Sequence, residues 1–231
     1  MKILAIIPAR GGSKGVPGKN IKLLGEKPLL QYTVEASMQS QLISKTILST
    51  DDAEIIACAR NFDIEIPFVR PHELATDQAK SIDVVKHAVD FFEKQGEFYD
   101  AVCLLQVTSP FRPHGMIDKA IQKFIDTDAD TLITVLPVPH EYNPHWVFEV
   151  NERGELKIAT GENTIISRRQ DLPLAYHRDG SIYITKTEYI KQGTFYGNSL
   201  TYLETDPTNY VNIDTLFDWK KAEDMINNKN G

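Results

Sequence analysis

Three nearly uninterrupted apolar runs, over residues 3–7, 101–107 and 131–136, limit what this chain can fold into. Each is too short for a buried helix, and none alternates with polar residues as a strand with one wet face would, so each predicts a strand buried on both faces of a parallel sheet. Amphipathic stretches fall between them. Over 79–95, Ile82, Val85, Val89 and Phe92 recur at helical spacing, and after Pro113 a second stripe is made by Ile117, Ala120, Ile121, Phe124 and Ile125. The spacing also predicts a helix of about ten residues from Gln31, with Val34 and Met38 on one face, and a strand over 45–49. The pair Asp51-x-x-Glu54 reads as a capping box opening a helix through Arg60, whose Ile55, Ile56 and Ala59 face the sheet. Residues 63–69 alternate but contain Pro67, which predicts a strand at an edge. Strands alternating with helices mean right-handed crossovers, hence an α/β fold with a mostly parallel sheet.

The alternation breaks between 137 and 176, where Pro137, Pro139 and Pro144 precede Trp146 to Val150, an Asn-Glu-Arg-Gly turn and Leu156 to Ile158. That order predicts a hairpin-like arm leaving a domain made of residues 1–136 and 177–231. Exposed, Trp146, Val147 and Phe148 would form a sticky patch. Strands are predicted over 180–184 and 210–213, with a linking segment to Leu200 between them. Thr215-x-x-Asp218 is a second capping box, opening a C-terminal helix that packs Leu216, Ala222 and Ile226 and frays from Asn227.

A chain of 231 residues with 42% hydrophobic content can bury a large core, and its net charge of −7 argues against a nucleic-acid or membrane surface as partner. No run of about 18 apolar residues and no leader pattern occur, so a cytoplasmic protein is expected. Cys58 and Cys103 sit in apolar stretches and read as reduced core thiols. His140, Glu141 and His145 do not make a zinc motif, because their spacing is one residue too long and Pro144 would break the helix.

The first apolar run leads directly into Pro8 to Asn20, Pro-Ala-Arg-Gly-Gly-Ser-Lys-Gly-Val-Pro-Gly-Lys-Asn. Gly11, Gly12, Gly15 and Gly18 permit close backbone approach and free φ, so amides can converge on an anion while Arg10, Lys14 and Lys19 add fixed positive charge. A connection leaving a buried strand is where α/β sheets place ligands. Neither common phosphate motif fits: Ser13 and Asn20 occupy positions where a Walker loop needs Gly and Ser or Thr, and no G-x-G-x-x-G is present. The plain alternative is a surface loop with solvated charges.

The run from Pro8 to Asn20 resembles the N-terminal signature of the acylneuraminate cytidylyltransferase family, the CMP-sialic acid synthetases and their relatives that activate nine-carbon α-keto acid sugars. The resemblance continues through Ser49 to Asp51, Arg70-Pro71, Glu73 to Ala75, Leu104 to Pro110, Arg169 to Pro173, Asp179 to Tyr183 and Ile213 to Thr215. It implies a three-layer Rossmann-like nucleotidyltransferase fold with an inserted dimerisation arm that reaches toward the partner's sugar site, and hence a homodimer. It implies CTP and a nonulosonic acid as substrates, and Mg²⁺ as cofactor. Arg10, Lys14, Lys19 and Asp214 would then be catalytic, with Asp214 and Asn212 at the metal. Ala9, Arg10, Gly11, Gly12, Ser13, Lys14, Lys19, Asn20, Arg70, Ser81 and Gln106 would surround the nucleotide. Gln106, Arg169, His177, Asp179 and Tyr183 would face the sugar. Two departures stand out. Asn212 replaces the first Asp of a common Asp-x-Asp, so either Asp214 suffices or an acid such as Asp179 contributes, and His177 stands where sialate enzymes commonly carry Arg. Both point away from N-acetylneuraminate and toward a related acceptor such as a legionaminate. Another NTP, such as GTP, another sugar, or a non-catalytic nucleotide-binding module are the alternatives, and an Asp214 that merely caps the following helix is the plain reading of that residue.

Overall fold

The computed structural model describes residues 1–230, and side chains through residue 228. In chain order the elements are β1 (Ile3–Pro8), β2 (Leu23–Leu24), β3 (Lys27–Pro28), α1 (Leu29–Met38), β4 (Lys45–Ser49), α2 (Ala53–Ala59), α3 (Ser81–Lys94), β5 (Ala101–Leu105), α4 (Met116–Thr127) and β6 (Thr131–Pro137). There follow β7 (Phe148–Val150), β8 (Leu156–Ile158), β9 (Tyr176–Lys186), α5 (Thr187–Lys191), β10 (Leu200–Glu204) and α6 (Leu216–Asn230). The chain divides into two compact units, one of Met1–Thr134 with Asp179–Gly231 and one of Val135–Arg178.

The main sheet has the order β10-β6-β9-β5-β1-β4. The apolar runs become its centre: β1 lies between β4 and β5, parallel to both, and β9 runs antiparallel to β5. Because side chains alternate along a strand, each run feeds two cores. Ile3, Ala5 and Ile7 of β1 and Ala101, Cys103 and Leu105 of β5 pack with Leu29, Leu30 and Val34 of α1, Ile117, Ala120, Ile121 and Phe124 of α4, and Trp219 and Ala222 of α6. Leu4, Ile6, Val102 and Leu104 point the other way, onto Val85, Ala88, Val89 and Phe92 of α3 and Ile190 of α5. Two helical layers around a sheet buried on both faces make the three-layer α/β architecture.

Several local expectations shift. Asp52, not Asp51, caps α2, its carboxylate accepting from the amides of Glu54 and Ile55. The helix over 79–95 begins only at Ser81. Residues 63–69 form two parallel bridges beside β4, Ile47 with Glu65 and Thr50 with Val69, rather than a continuous strand. Met38 and Ile125 are exposed although they lie on predicted apolar faces. Residues 210–213 form no strand: Val211 and Ile213 are buried, yet the backbone is tied to the sheet end by Ile213 N–H donating to Thr108 O at 2.8 Å. The strand of that region is β10, which begins at Leu200 where the expected link ends. The capping box of α6 forms as predicted, the Asp218 carboxylate accepting from Thr215 N and Asp214 N. The helix it opens is helical through Asn230; residue 231 lies outside the described residues.

The second unit contains the predicted hairpin, β7 antiparallel to β8 with Phe148 opposite Ile158. Its turn is shaped by Asn151, whose Oδ1 accepts from Arg153 N and Glu155 N. Trp146 is half-buried and donates from Nε1 to Ile166 O, while Val147, Phe148, Val150 and Leu156 are exposed.

Candidate active site

The connection after β1 folds back over the carboxyl end of the sheet and closes one side of a cavity of about 360 Å³, lined also by Arg70, Asp77, Ser81, Gln106 and Asp214. Asn20, almost fully buried, donates from Nδ2 to Arg10 O at 2.9 Å and thereby closes the loop on itself. Gly15 is required where the loop meets the C-terminal segment, since a Cβ there would lie 1.9 Å from Asp214 O. Lys19 ties the same two segments together, donating to Ile213 O at 2.6 Å and pairing with Asp214 Oδ1 at 3.3 Å.

Arg10, Ser13, Lys14, Lys19, Asn20, Arg70, Ser81, Gln106 and Asp214 all line this cavity. Ala9, Gly11 and Gly12 do not. Ala9 N–H donates to Ser49 O, and Gly11 N–H donates to the Asp51 carboxylate at 3.2 Å. Gly11 and Gly12 instead border a smaller hollow shared with Asp52. The amide cradle expected around an anion is therefore narrower than the glycine count implies.

Arg70 is buried and spans the end of β4, donating from Nε to Ser49 Oγ at 3.1 Å and from an Nη to Ser49 O. Burial lowers its pKa to about 10, with neighbouring Arg10 adding to the effect. Four basic and two acidic side chains line the cavity, which gathers positive charge locally in an acidic protein. Asp77, absent from the sequence candidates, bridges two of those cations: its carboxylate pairs with Arg10 at 2.6 Å and with Lys14. These contacts, Lys14 first, hold its carboxyl below the ordinary range.

Asp214 does not cap α6, because Asp218 performs that role. Its side chain is exposed at the cavity, and Asn212 Nδ2 donates to its Oδ2 at 2.6 Å. That bond brings Asn212 against the Asp214 carboxylate. Asp179 supplies no second acid either: it is buried and accepts from Thr134 Oγ1, Ser181 N and Thr205 Oγ1, and it lines a different cavity with Ser109, Phe111 and Tyr210. Among the described residues no cluster of three or more His, Cys, Asp or Glu could hold a metal ion. The residues do fit an ion held by one carboxylate and by phosphate oxygens, since Asp214, paired with Lys19, lines the same cavity as Arg10 and Lys14.

Of the sugar candidates, Gln106 lines the cavity and its carbonyl accepts from Arg112 at 2.7 Å. Tyr183 is a core residue near Phe195, their ring centroids 6.1 Å apart. Arg169 and His177 belong to the second unit and are exposed, Arg169 opening a short 3-10 turn. Burial lifts the Cys103 thiol to about 12, as an inert core cysteine requires. Among the described residues no helix is long and apolar enough to cross a membrane.

The family model for cytidylyltransferases matches residues 4–224. A pseudaminic acid cytidylyltransferase from Campylobacter jejuni is 35% identical over 224 residues, 96% of this chain and 95% of that protein. A CMP-N,N'-diacetyllegionaminic acid synthase from Legionella pneumophila is 33% identical over 237 residues, 98% of this chain and 97% of that one. The fold is shared with a solved CMP:2-keto-3-deoxy-manno-octonic acid synthetase complexed with CTP, at TM-score 0.73 and 16% identity over 99% of this chain and 100% of the other. A match that starts in β1 and ends inside α6, backed by relatives alike over nearly their whole length, makes this chain a member of the cytidylyltransferase family.

Proposed function

We propose that the protein transfers CMP from CTP to a nonulosonic acid, a nine-carbon α-keto acid sugar, and releases pyrophosphate. The observation that carries this reading is one cavity lined by Arg10, Lys14 and Lys19 from the first βα connection together with Asp214 from the C-terminal segment. Similarity to enzymes named for pseudaminic and legionaminic acids supports the acceptor class. A sugar hydroxyl oxygen forms a bond to the α-phosphorus, the bond from that phosphorus to the β-phosphate oxygen breaks, and the hydroxyl proton passes to a base. Such a reaction needs positioning and charge neutralisation more than covalent help. Arg10 and Lys14 take the triphosphate oxygens, Lys19 holds the loop against Ile213, and Arg70 and Asn20 keep the cavity wall rigid. Asp214 is the residue that would hold Mg²⁺, which when bound neutralises phosphate charge. Gln106 is the acceptor-side candidate within the cavity.

In the same reading the second unit is a dimerisation arm, its exposed Val147, Phe148, Val150 and Leu156 covered by a second copy, and the enzyme works in the cytoplasm. A monomeric mass in solution at micromolar concentration would refute the arm's role.

The test is pyrophosphate release from each of the four NTPs with Mg²⁺ and a panel of nonulosonic acids. CTP with one of these acids is the expected productive pair. If CTP binds and no pair releases pyrophosphate, the chain is a nucleotide-binding module. Asp214→Ala is expected to lower turnover by roughly a hundredfold or more while leaving metal-free CTP binding within about threefold. Equal losses in both would assign Asp214 a structural task.

A further inference from the structure

Asp77 is the charged group in the cavity that the reaction does not use. It lies in the irregular stretch 75–80 ahead of α3, yet that stretch is clasped to the β1 connection. One Arg10 Nη donates to Ala75 O at 3.5 Å, the other pairs with Asp77 Oδ1 at 2.6 Å, and the other carboxylate oxygen takes Lys14. A single carboxylate spanning two cations on one phosphate loop occupies the place, and supplies the charge, that two phosphoryl oxygens would.

We propose that Asp77 is an internal competitor for the phosphate subsite: the loop cations hold it when nucleotide is absent, and a triphosphate or pyrophosphate binds by displacing it. The inference rests on the nucleotide reading above and adds a discriminating element to it. With Asp77 in place, Arg10 and Lys14 present one net positive charge; without it they present two. A ligand carrying several negative charges on adjacent phosphoryl groups replaces one carboxylate at a profit in charge, whereas the single phosphodiester group of the CMP-sugar, with one charge, does not. Once the α-phosphate has been transferred, Asp77 competes again for the cations that hold pyrophosphate and favours its departure. The pairs are partly exposed, with Lys14 80% and Asp77 40% accessible, so exchange needs no opening of the core.

The test uses the full-length protein. Asp77→Asn keeps the shape and removes the charge, and it is expected to tighten metal-free CTP and inorganic pyrophosphate binding by roughly tenfold, the scale of two exposed ion pairs removed from competition. It should also steepen the salt dependence of both affinities and lower KM for CTP together with kcat, because pyrophosphate leaves more slowly. Asp77→Ser must move the affinities in the same direction, and Asp77→Glu must stay near the wild type. Unchanged or weaker pyrophosphate binding in both neutral variants overturns the proposal. Wild-type protein that fails to bind CTP, or Arg10→Ala that binds it as well as wild type, would instead overturn the nucleotide reading itself.

Discussion

Gly15→Ala separates the geometry of the site from the stability of the fold. A Cβ at position 15 would lie 1.9 Å from the backbone oxygen of Asp214, about 1.1 Å short of the 3.0 Å that real Cβ atoms keep. The neighbour is backbone, so no side chain can swing aside, and either the loop or the Asp214 segment must move by about an ångström. Both carry the proposed chemistry: Lys19 joins them through Ile213 O at 2.6 Å and through Asp214. A displacement of that size at a positioned group costs on the order of a hundredfold in turnover, or about 3 kcal/mol of transition-state stabilisation. The fold itself loses only about 1–3 kcal/mol, as for other overpacking changes. Gly12→Ala is the control: its φ of +64° strains an alanine, but nothing lies within 4 Å of the added Cβ. It should cost about 1–2 kcal/mol of stability and leave turnover within roughly fivefold. Pyrophosphate release under saturating CTP and acceptor, with thermal melting of both variants, reads the two effects. Turnover in Gly15→Ala within threefold of wild type would refute the claim that loop and C-terminal segment act as one unit.

Two other perturbations test parts of the frame around the cavity. Arg112 is half-buried with its Nε shielded, and it donates to Thr33 Oγ1 at 3.0 Å, Gln106 O at 2.7 Å and Ser181 O at 2.9 Å, joining α1, the end of β5 and β9. Burial lowers its pKa to about 10, and Arg112→Met should lower stability by about 2 kcal/mol, a melting shift of roughly 4–8 °C; a shift under 1 °C would show that these bonds are replaced by water. His87 packs edge-on against Phe68, its Nδ1 is buried without a partner, and burial lowers its pKa below 6.5. Above pH 6.5 neither folded nor unfolded His87 is charged and its contribution is intact; as pH falls below 6.5 toward the depressed folded value, the unfolded chain takes the proton first and stability is lost. The melting temperature should therefore fall between pH 7 and pH 5, and less steeply in His87→Gln; identical slopes would remove His87 from the account.

What the sequence determined by itself was everything governed by neighbours a few residues apart. The run at 3–7 is apolar at every position, so β1 had to be buried on both faces, and the alternation with helical stripes then required an α/β sheet. The capping box at Thr215 and Asp218 needed only a three-residue spacing, and the glycines and cations of 10–19 marked the loop. Local pattern failed where tertiary contacts chose between equivalent neighbours. Asp51 and Asp52 are the same residue type one position apart, and the cap fell to Asp52 while Asp51 took the Gly11 amide from 40 residues away. Residues 210–213 look like a strand, yet they lie as an irregular segment held to the sheet end by a hydrogen bond to Thr108. Asp77 meets Arg10 across 67 residues, and Asp214 meets Lys19 across 195. A carboxylate's charge is visible in any sequence, but which cation it neutralises depends on distances of 2 to 4 Å that only the closed chain brings about.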